Sequence, residues 1–345
     1  MTNPRNGATI VDIARSLGVS AMTVSRALRG SAEVSDKTRK KVLRCAEEMG
    51  YRPNRWARSL VTQKTAIIGI VVPDISHSFF AEVTRGIEDV LGDAGYNILL
   101  CDSRLSAEKE IDEIGMLVDS RVEGLIVASE QQQGAPEVFK KLRQSGIPFV
   151  LVDRFFPRCN FPAVLVDDTA VARLATEHLI ELGHRRIAHI QGPGISPAFL
   201  RLNGYKEALK HHHIAINPSW IVPGNFDISS GREAMQQMIE SGSLPSAVFA
   251  ANDPMAIGAL YACRDAGLQV PAQISVVGAG NIEGAHHPNP FLTTIDWPRQ
   301  ELGRAAATLL LEATSRTEAA KEPPEIRVFP PRLLVRQSTA GPPPW

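Results

Sequence analysis

From Thr65 onward the chain alternates apolar runs of strand length with amphipathic stretches of helical period. The strand-like runs are 66–72, 97–101, 124–128, 149–152, 163–166, 186–190, 247–250 and 274–277. Between them lie helical stretches such as 80–94, 107–119, 171–182, 198–211, 231–241 and 255–266. Uninterrupted apolar strands separated by helices imply parallel sheets covered on both faces. Two sheets of roughly 100–130 residues each fill this length. Ligands of open α/β sheets sit beyond the carboxyl ends of strands, so two facing sheets enclose a cleft.

The first sixty residues follow another pattern. Thr9 and Asp12 form a capping-box signature, and Ile10, Ile13, Ala14 and Leu17 repeat at helical spacing up to Gly18. Ser20 caps a second helix with Val24 and Leu28 inward. Ser35 caps a third, with Val42, Ala46 and Met49 inward and Gly50 as its stop. Two short helices joined by a glycine turn read as a helix-turn-helix, whose second helix enters the DNA major groove. Its leading part carries Ala21, Met22, Thr23, Ser25 and Arg26. Arg26 suits bidentate donation to guanine, Met22 suits a thymine methyl, and the hydroxyls of Ser20, Thr23 and Ser25 suit phosphates. A solvated or ion-paired side chain is the plainer alternative for Arg26. Residues 54–60, capped by Asn54, make a helix too short to stand alone in water.

Charge supports this division. The net charge is zero, yet residues 1–64 hold 13 basic and five acidic side chains, a balance of +8, while the remainder holds 24 and 32, a balance of −8. A basic front on an acidic body suits a polyanion reader with a separate control domain. No apolar run approaches the ~18–20 residues of a membrane span, and residues 1–7 have no signal-peptide core. The expected location is therefore the cytoplasm, with no membrane partner. Cys45, Cys101, Cys159 and Cys263 lie far apart and form no metal-like pair, so reduced thiols and no cofactor or metal are expected.

Residues 9–60 resemble the lactose-repressor (LacI/GalR) family of bacterial transcriptional regulators. The matching residues are Asp12-Ile13-Ala14, Gly18-Val19-Ser20, Thr23-Val24-Ser25-Arg26, Val34-Ser35, Thr38-Arg39, Val42, Gly50-Tyr51, Pro53-Asn54, Ala57 and Leu60. The resemblance implies base reading by positions 21, 22 and 26, and DNA contacts also from Thr9, Arg29, Asn54, Arg55 and Ala57. It further implies a hinge helix over 54–60 that pairs with its mate in a homodimer, and a Leu60 wedge that kinks the minor groove; packing on the core is the alternative for Leu60. The resemblance continues to about residue 337 through Phe79-Phe80-Ala81-Glu82, Gly86-Ile87-Glu88, Leu182-Gly183-His184-Arg185, Gly204-Tyr205, Ala251-Asn252-Asp253, Ala256-Ile257-Gly258 and Leu292-Thr293-Thr294-Ile295.

The fold so implied is an all-α helix-turn-helix domain (1–52), a hinge and linker (53–64) and an α/β periplasmic-binding-protein-like core (65–340) of two parallel-sheet subdomains. The first subdomain takes 65–166 and 296–325, the second 167–295 and 326–340, with three crossings between them. Effector contacts carried over singly are Phe79, Phe80, Arg201, Phe226, Asn252 and Asp253. One departure stands out. Where the family commonly has an aspartate that holds ligand hydroxyls, this chain has Gly280, followed by Asn281. Loss of that acid favours an anionic effector, such as a sugar acid or a phosphate, through reduced repulsion.

Other readings fit less well. No phosphate loop, G-x-S-x-G elbow or H-E-x-x-H occurs, so an enzyme is not expected. His211-His212-His213 reads as a solvated helix end, because successive helical residues diverge by about 100°. The pair His286-His287 is read the same way, with cleft contact beside 278–281 as its alternative. A secreted sugar-binding protein would lack the basic front. The expected function is a DNA-binding regulator, with repression the commoner outcome, controlled by a sugar, sugar acid or related metabolite. A co-repressed regulator or an activator that senses a non-sugar metabolite is the alternative.

Overall fold

The computed structural model describes residues 8–28, 30–51, 65–131, 137–157, 159–282, 291–315 and 324–343. Two compact units divide the chain, Met1–Thr65 and Ala66–Trp345.

The first unit holds α1 (Ile10–Leu17), α2 (Ala21–Leu28) and α3 (Asp36–Glu48). The Thr9 hydroxyl accepts from the Asp12 amide while the Asp12 carboxylate accepts from the Thr9 amide, so the capping box forms as expected. Gly18 closes α1 at φ 63°, a left-handed value that glycine adopts cheaply. Ile13, Ala14, Val24, Ala27, Val34, Val42, Cys45 and Ala46 form the core, with Leu28 packed against it. One inward assignment shifts: Met49 is 38% exposed while Cys45 takes the inner place on α3, and late in α2 Ala27 is buried beside Leu28. Met49 follows the last helical residue, where the helical period no longer applies.

The second unit comprises β1 (Ile67–Val72), α4 (Ser78–Asp93), β2 (Asn97–Asp102), α5 (Ala107–Asp119), β3 (Gly124–Val127), α6 (Glu137–Gln144), β4 (Phe149–Val152) and β5 (Ala163–Val166). These are followed by α7 (Asp168–Glu181), β6 (Ile187–Gln191), α8 (Ser196–His211), β7 (Ile221–Pro223), α9 (Ile228–Glu240), β8 (Ala247–Ala250), α10 (Asp253–Asp265) and β9 (Ser275–Ala279). β10 (Thr293–Asp296), α11 (Arg299–Ser315), β11 (Ile326–Phe329) and β12 (Arg332–Leu334) complete it. The strands build two six-stranded sheets, ordered β11-β5-β4-β3-β1-β2 and β12-β10-β9-β8-β6-β7. Every pairing is parallel except β10 with β12.

Period-two alternation sorts each strand between two cores. In the first sheet Ile68, Ile70, Ile126 and Val150 pack with Val83, Ile87 and Leu310, while Val71, Leu125, Val127 and Leu151 pack with Ile114, Leu117 and Phe139. The chain crosses between sheets after β5, after β10 and after β11. The last crossing falls later than the expected boundary at 326. β11 pairs with β5 through Ile326↔Ala163 and Phe329↔Val166, so residues 326–329 belong to the first sheet. Pro330-Pro331 then ends the ladder, because proline has no N–H to donate.

Candidate functional site

The outer face of α2 presents Ala21, Met22 and Arg26 to solvent, with Met22 58% exposed. Thr23 and Ser25 are half-buried. Ser20 accepts from the Thr23 amide at 3.0 Å, and the two hydroxyls lie 2.9 Å apart. Those hydroxyls therefore fix the start of α2 and remain at its surface. The exposed Thr9 donates its hydroxyl to Asp12 at 2.6 Å. Arg26 Nη1 meets Glu33 Oε2 at 2.7 Å, with both side chains substantially exposed. An exposed pair contributes about 0–1 kcal/mol, so Arg26 exchanges Glu33 for another acceptor at little cost. Arg39 is a different kind of arginine. It donates to the carbonyls of Ser31 and Val34 and to Asp36, bracing the turn between α2 and α3. The expected contacts Arg29, Asn54, Arg55, Ala57 and Leu60, and the pair His286-His287, lie outside the described residues.

In the second unit a cavity of about 1060 Å³ opens between the sheets. Asp74, Ser76 and His77 line it from the first sheet's side. Phe226, Asp227, Arg232, Tyr261 and Ile282 line it from the second. Four of the six expected contacts lie in one neighbourhood on the second sheet's side. Arg201, on α8 and buried, donates through Nε and Nη2 to Asp168 at 2.8 and 2.7 Å, and through Nη1 to the Ala251 carbonyl at 2.6 Å. Its guanidinium lies 5.9 Å from the Phe226 ring centre and 5.2 Å from that of Trp297. Phe226 has φ 64°. A Cβ on Gly192 would sit 2.3 Å from the Phe226 ring, so glycine there seats the ring.

Asn252 caps α10 by accepting from the Met255 amide, and its Nδ2 donates to the Phe226 carbonyl at 2.8 Å. It fastens the left-handed Phe226 backbone. Asp253 accepts from the Thr294 hydroxyl at 2.6 Å and from the Ile282 amide at 3.0 Å. Phe79 and Phe80, at the start of α4, are buried edge-to-face at 4.9 Å. Phe79 meets Trp297 at 6.4 Å, and Phe80 lies 5.9 Å from the Arg154 guanidinium.

Burial governs the acids here. It pushes both Asp168 and Asp253 up to about 6, despite Arg201 beside the first and the Thr294 hydroxyl on the second. Asp153 is raised for the same reason, against the pull of Arg154 and Arg201. Burial also lowers His77.

Sequence reasoning missed Asp168, Asp153, Arg154 and Trp297. Asp168 opens a helix and Trp297 follows the Leu292-Thr293-Thr294-Ile295 motif, but neither position signals a buried polar cluster on its own; of the six expected contacts only Phe226 lines the cavity itself. At the departure from the family pattern, Gly280 has φ 128°. A Cβ there would lie 3.9 Å from Asp253 Oδ2 and 4.0 Å from Trp297 Cη2. Asn281 instead bridges Asp296, to which it donates at 3.0 Å, and Arg336, from which it accepts at 2.7 Å. Among the described residues no group of three or more His, Cys, Asp or Glu is placed to hold a metal ion, and no helix is long and apolar enough to cross a membrane.

Comparison with known proteins agrees with the fold. Residues 9–54 match bacterial regulatory proteins of the lacI family, and residues 176–339 match a periplasmic binding protein-like domain. The catabolite control protein A of Priestia megaterium is 35% identical over 333 residues, spanning 96% of this chain and 99% of that protein. A lac repressor dimer bound to operator and the anti-inducer ONPF is similar in structure at TM-score 0.86 and 29% identity, over 97% of this chain and 100% of that one. A complex of the transcriptional regulator CelR with cellobiose is similar at TM-score 0.72 and 31% identity, over 96% and 99%.

Proposed function

This chain belongs to the lacI family of bacterial regulatory proteins, and on that footing we propose that it is an operator-binding repressor whose DNA affinity is set by a small molecule held between the two sheets of its core. One observation carries the reading. A helix-turn-helix with a complete apolar core leaves Ala21, Met22 and Arg26 facing outward, on the same chain as a two-sheet core with an aromatic, polar cleft. Arg26 reads a guanine and Met22 an apolar base edge, with Ser20, Thr23, Ser25 and Thr9 at the phosphates. Residues 53–64 serve as the hinge, with Leu60 as the wedge.

The protein acts in the cytoplasm as a homodimer with one helix-turn-helix per operator half-site. Dimerisation is supported by the edge strand β2, the turn that follows it and the neighbouring α5, where Leu99, Leu100, Leu105, Ile111 and Met116 are all more than a third exposed. An apolar sheet edge of this kind is a template for pairing. Effector binding changes operator affinity by preferring one of two core states.

Selection of operator DNA from a random library tests the front of the chain. Arg26→Ala should relax preference at one base pair, by about 1–3 kcal/mol; an unchanged consensus removes Arg26 from the reading role. Sedimentation of the wild-type chain should give a dimer, and Leu100→Asp should shift it toward monomer.

A further inference from the structure

We propose that Glu33 is a positioning residue for base reading: it holds one end of the Arg26 fork and aims the other edge at its guanine. The proposal rests on the reading of Arg26 as a base-contacting side chain and names what keeps that side chain in register.

The ion pairs of the first unit lead to it. Arg15 with Asp12, Arg39 with Asp36 and Arg44 with Glu48 each join residues three or four apart on one helix, the spacing of ordinary helix-surface pairs. Among the described residues of this unit, Arg26 with Glu33 is the one pair that leaves its helix. It joins the outward face of α2 to the turn before α3.

That turn is built to hold Glu33 still. Gly30, at φ 71°, sends the chain back beside α2. The Ser31 amide donates to the Arg26 carbonyl at 3.0 Å, and the Val34 amide donates to the Ser31 carbonyl at 3.2 Å. The Glu33 amide donates to the Ser31 hydroxyl at 3.4 Å. Arg39 clamps the carbonyls of Ser31 and Val34 from α3, and Val34 is buried in the core of the unit. The backbone that carries Glu33 is therefore tied to the backbone that carries Arg26, and the carboxylate meets Nη1 at 2.7 Å.

Stability does not account for the pair. An exposed ion pair adds little, and an acid beside a base-reading arginine repels phosphates. Its use is geometric. A guanidinium is planar and carries five N–H donors in a fixed fork. Glu33 engages Nη1, at one end of it. The Nε–Nη2 edge carries two parallel donors, the arrangement that guanine O6 and N7 accept. Exchange at Nη1 is cheap but unnecessary, because guanine and Glu33 take different edges. A long side chain loses rotamer freedom when it binds, and a fork held in place before DNA arrives loses less. A tilted guanidinium cannot meet both acceptors, so the same restraint sharpens discrimination. A carboxylate accepts and cannot donate, so Glu33 offers the phosphates only repulsion. It weakens binding to every sequence alike while strengthening the preference for one base pair.

The test is selection of operator DNA by the full chain from a random library, followed by affinities for the selected site and for unrelated DNA. Glu33→Ala should reduce the preference at the base pair that Arg26→Ala relaxes, by about threefold to tenfold, and leave the other positions unchanged. In the Arg26→Ala background the same change should add nothing at that pair. Glu33→Ala should also bind unrelated DNA more tightly, because a repelling charge is gone. Glu33→Gln, which keeps an acceptor at the same reach, should restore part of the preference and none of the repulsion. The thermal midpoint should stay at the wild-type value. An unchanged preference in Glu33→Ala overturns the assignment. A change at a base pair other than that of Arg26 also overturns it and makes Glu33 a direct reader. Relaxation at every position with a lowered midpoint overturns it as well and leaves Glu33 a support of the turn. If Arg26→Ala itself leaves the consensus unchanged, the reading role of Arg26 fails and this inference fails with it; if Arg26→Ala relaxes one pair and Glu33→Ala does not, the inference fails alone.

Discussion

His189 sits in the middle of β6 between two rings, with Tyr205 stacked at 5.1 Å and Phe249 at 4.8 Å. Its Nδ1–H donates to the Phe249 carbonyl at 3.0 Å, and its Nε2 has no partner among the described residues. Burial holds its pKa down at about 3, from 6.5 in an open chain. The folded state therefore keeps the ring neutral, and the unfolded chain gains the proton first. Stability from this group is fully present above pH 6.5 and is lost as pH falls toward 3. At roughly 1.4 kcal/mol per pH unit, the loss by pH 5 is about 2 kcal/mol. Asp168 and Asp253 act in the opposite sense. Their folded pKa values lie near 6, above the open-chain 3.8, so their ionisation penalty fades below pH 6. The wild-type curve mixes these effects, but a difference isolates one. Urea unfolding of wild type and His189→Phe should give stabilities whose difference changes by about 2 kcal/mol between pH 7 and pH 5. A pH-independent difference removes the histidine from the account. Residues 186–190 read correctly as a strand from their apolar run, yet nothing local announces a neutral imidazole inside it. The cluster around Arg201 shows the same limit. Arg201, Asn252 and Asp253 stand out by their motifs, but the contacts that bring Asp168 and Trp297 beside Arg201 form only when distant segments meet.

Helix pairs in the core touch backbone to backbone, and glycines make that possible. A Cβ on Gly258 of α10 would lie 2.0 Å from the Ile228 carbonyl oxygen of α9, and one on Gly231 of α9 would lie 2.2 Å from that of Met255. The same reciprocity joins α4 and α11, where Gly86 faces the Gln300 carbonyl oxygen and Gly303 faces that of Val83, each at 2.0 Å. Helix propensity and packing oppose each other here. Alanine gains about 1 kcal/mol over glycine inside a helix, whereas a methyl driven into rigid backbone costs about 1–3 kcal/mol or more. Packing wins at 2.0 Å, so Gly258→Ala should lower stability. Gly115→Ala on α5, where a Cβ meets nothing within 4 Å, should raise it by up to about 1 kcal/mol. Urea midpoints of the two variants moving in opposite directions would bear this out; a stabilised Gly258→Ala would contradict it. Elements were legible where the apolar period was strong, as in α5, β4, β5 and β8. They were not where burial is partial. α6 buries only Phe139 and Leu142 among its charges, and β11 and β12 are edge strands with no fully buried residue. An edge strand is defined by its neighbour's hydrogen bonds, which no local pattern encodes.

Polar ties close the core across its crossings, and Arg299 is central to them. It begins α11, forms an ion pair with Glu82 of α4 at 3.0 Å, and reaches back to the Gly280 carbonyl and to Asp296 at the end of β10. A second tie runs from the Phe155 amide, after β4, to the Ser196 hydroxyl at the start of α8 at 3.1 Å. Each joins the first sheet's layer to the second's, and each is broken if the sheets swing apart. Opening therefore forfeits a charge-assisted bond, worth about 1.5–3 kcal/mol, and a neutral one near 1 kcal/mol. A ligand that needs the closed core binds with an apparent affinity reduced by the closed fraction. Arg299→Met keeps the length of the side chain and removes the tie. Asp296 still accepts from Arg332 and Asn281, so no unpaired buried charge remains to unfold the protein. The expected result is an effector dissociation constant raised about tenfold or more, with the thermal midpoint nearly unchanged. Ser196→Ala should add a smaller weakening, and the two should combine within about 0.5 kcal/mol of additivity, because the two ties involve different segments and share no partner. An Arg299→Met protein that binds effector like wild type would show that the tie persists in the open core. A variant that simply melts early would show that Arg299 supports the fold and not the equilibrium between its states.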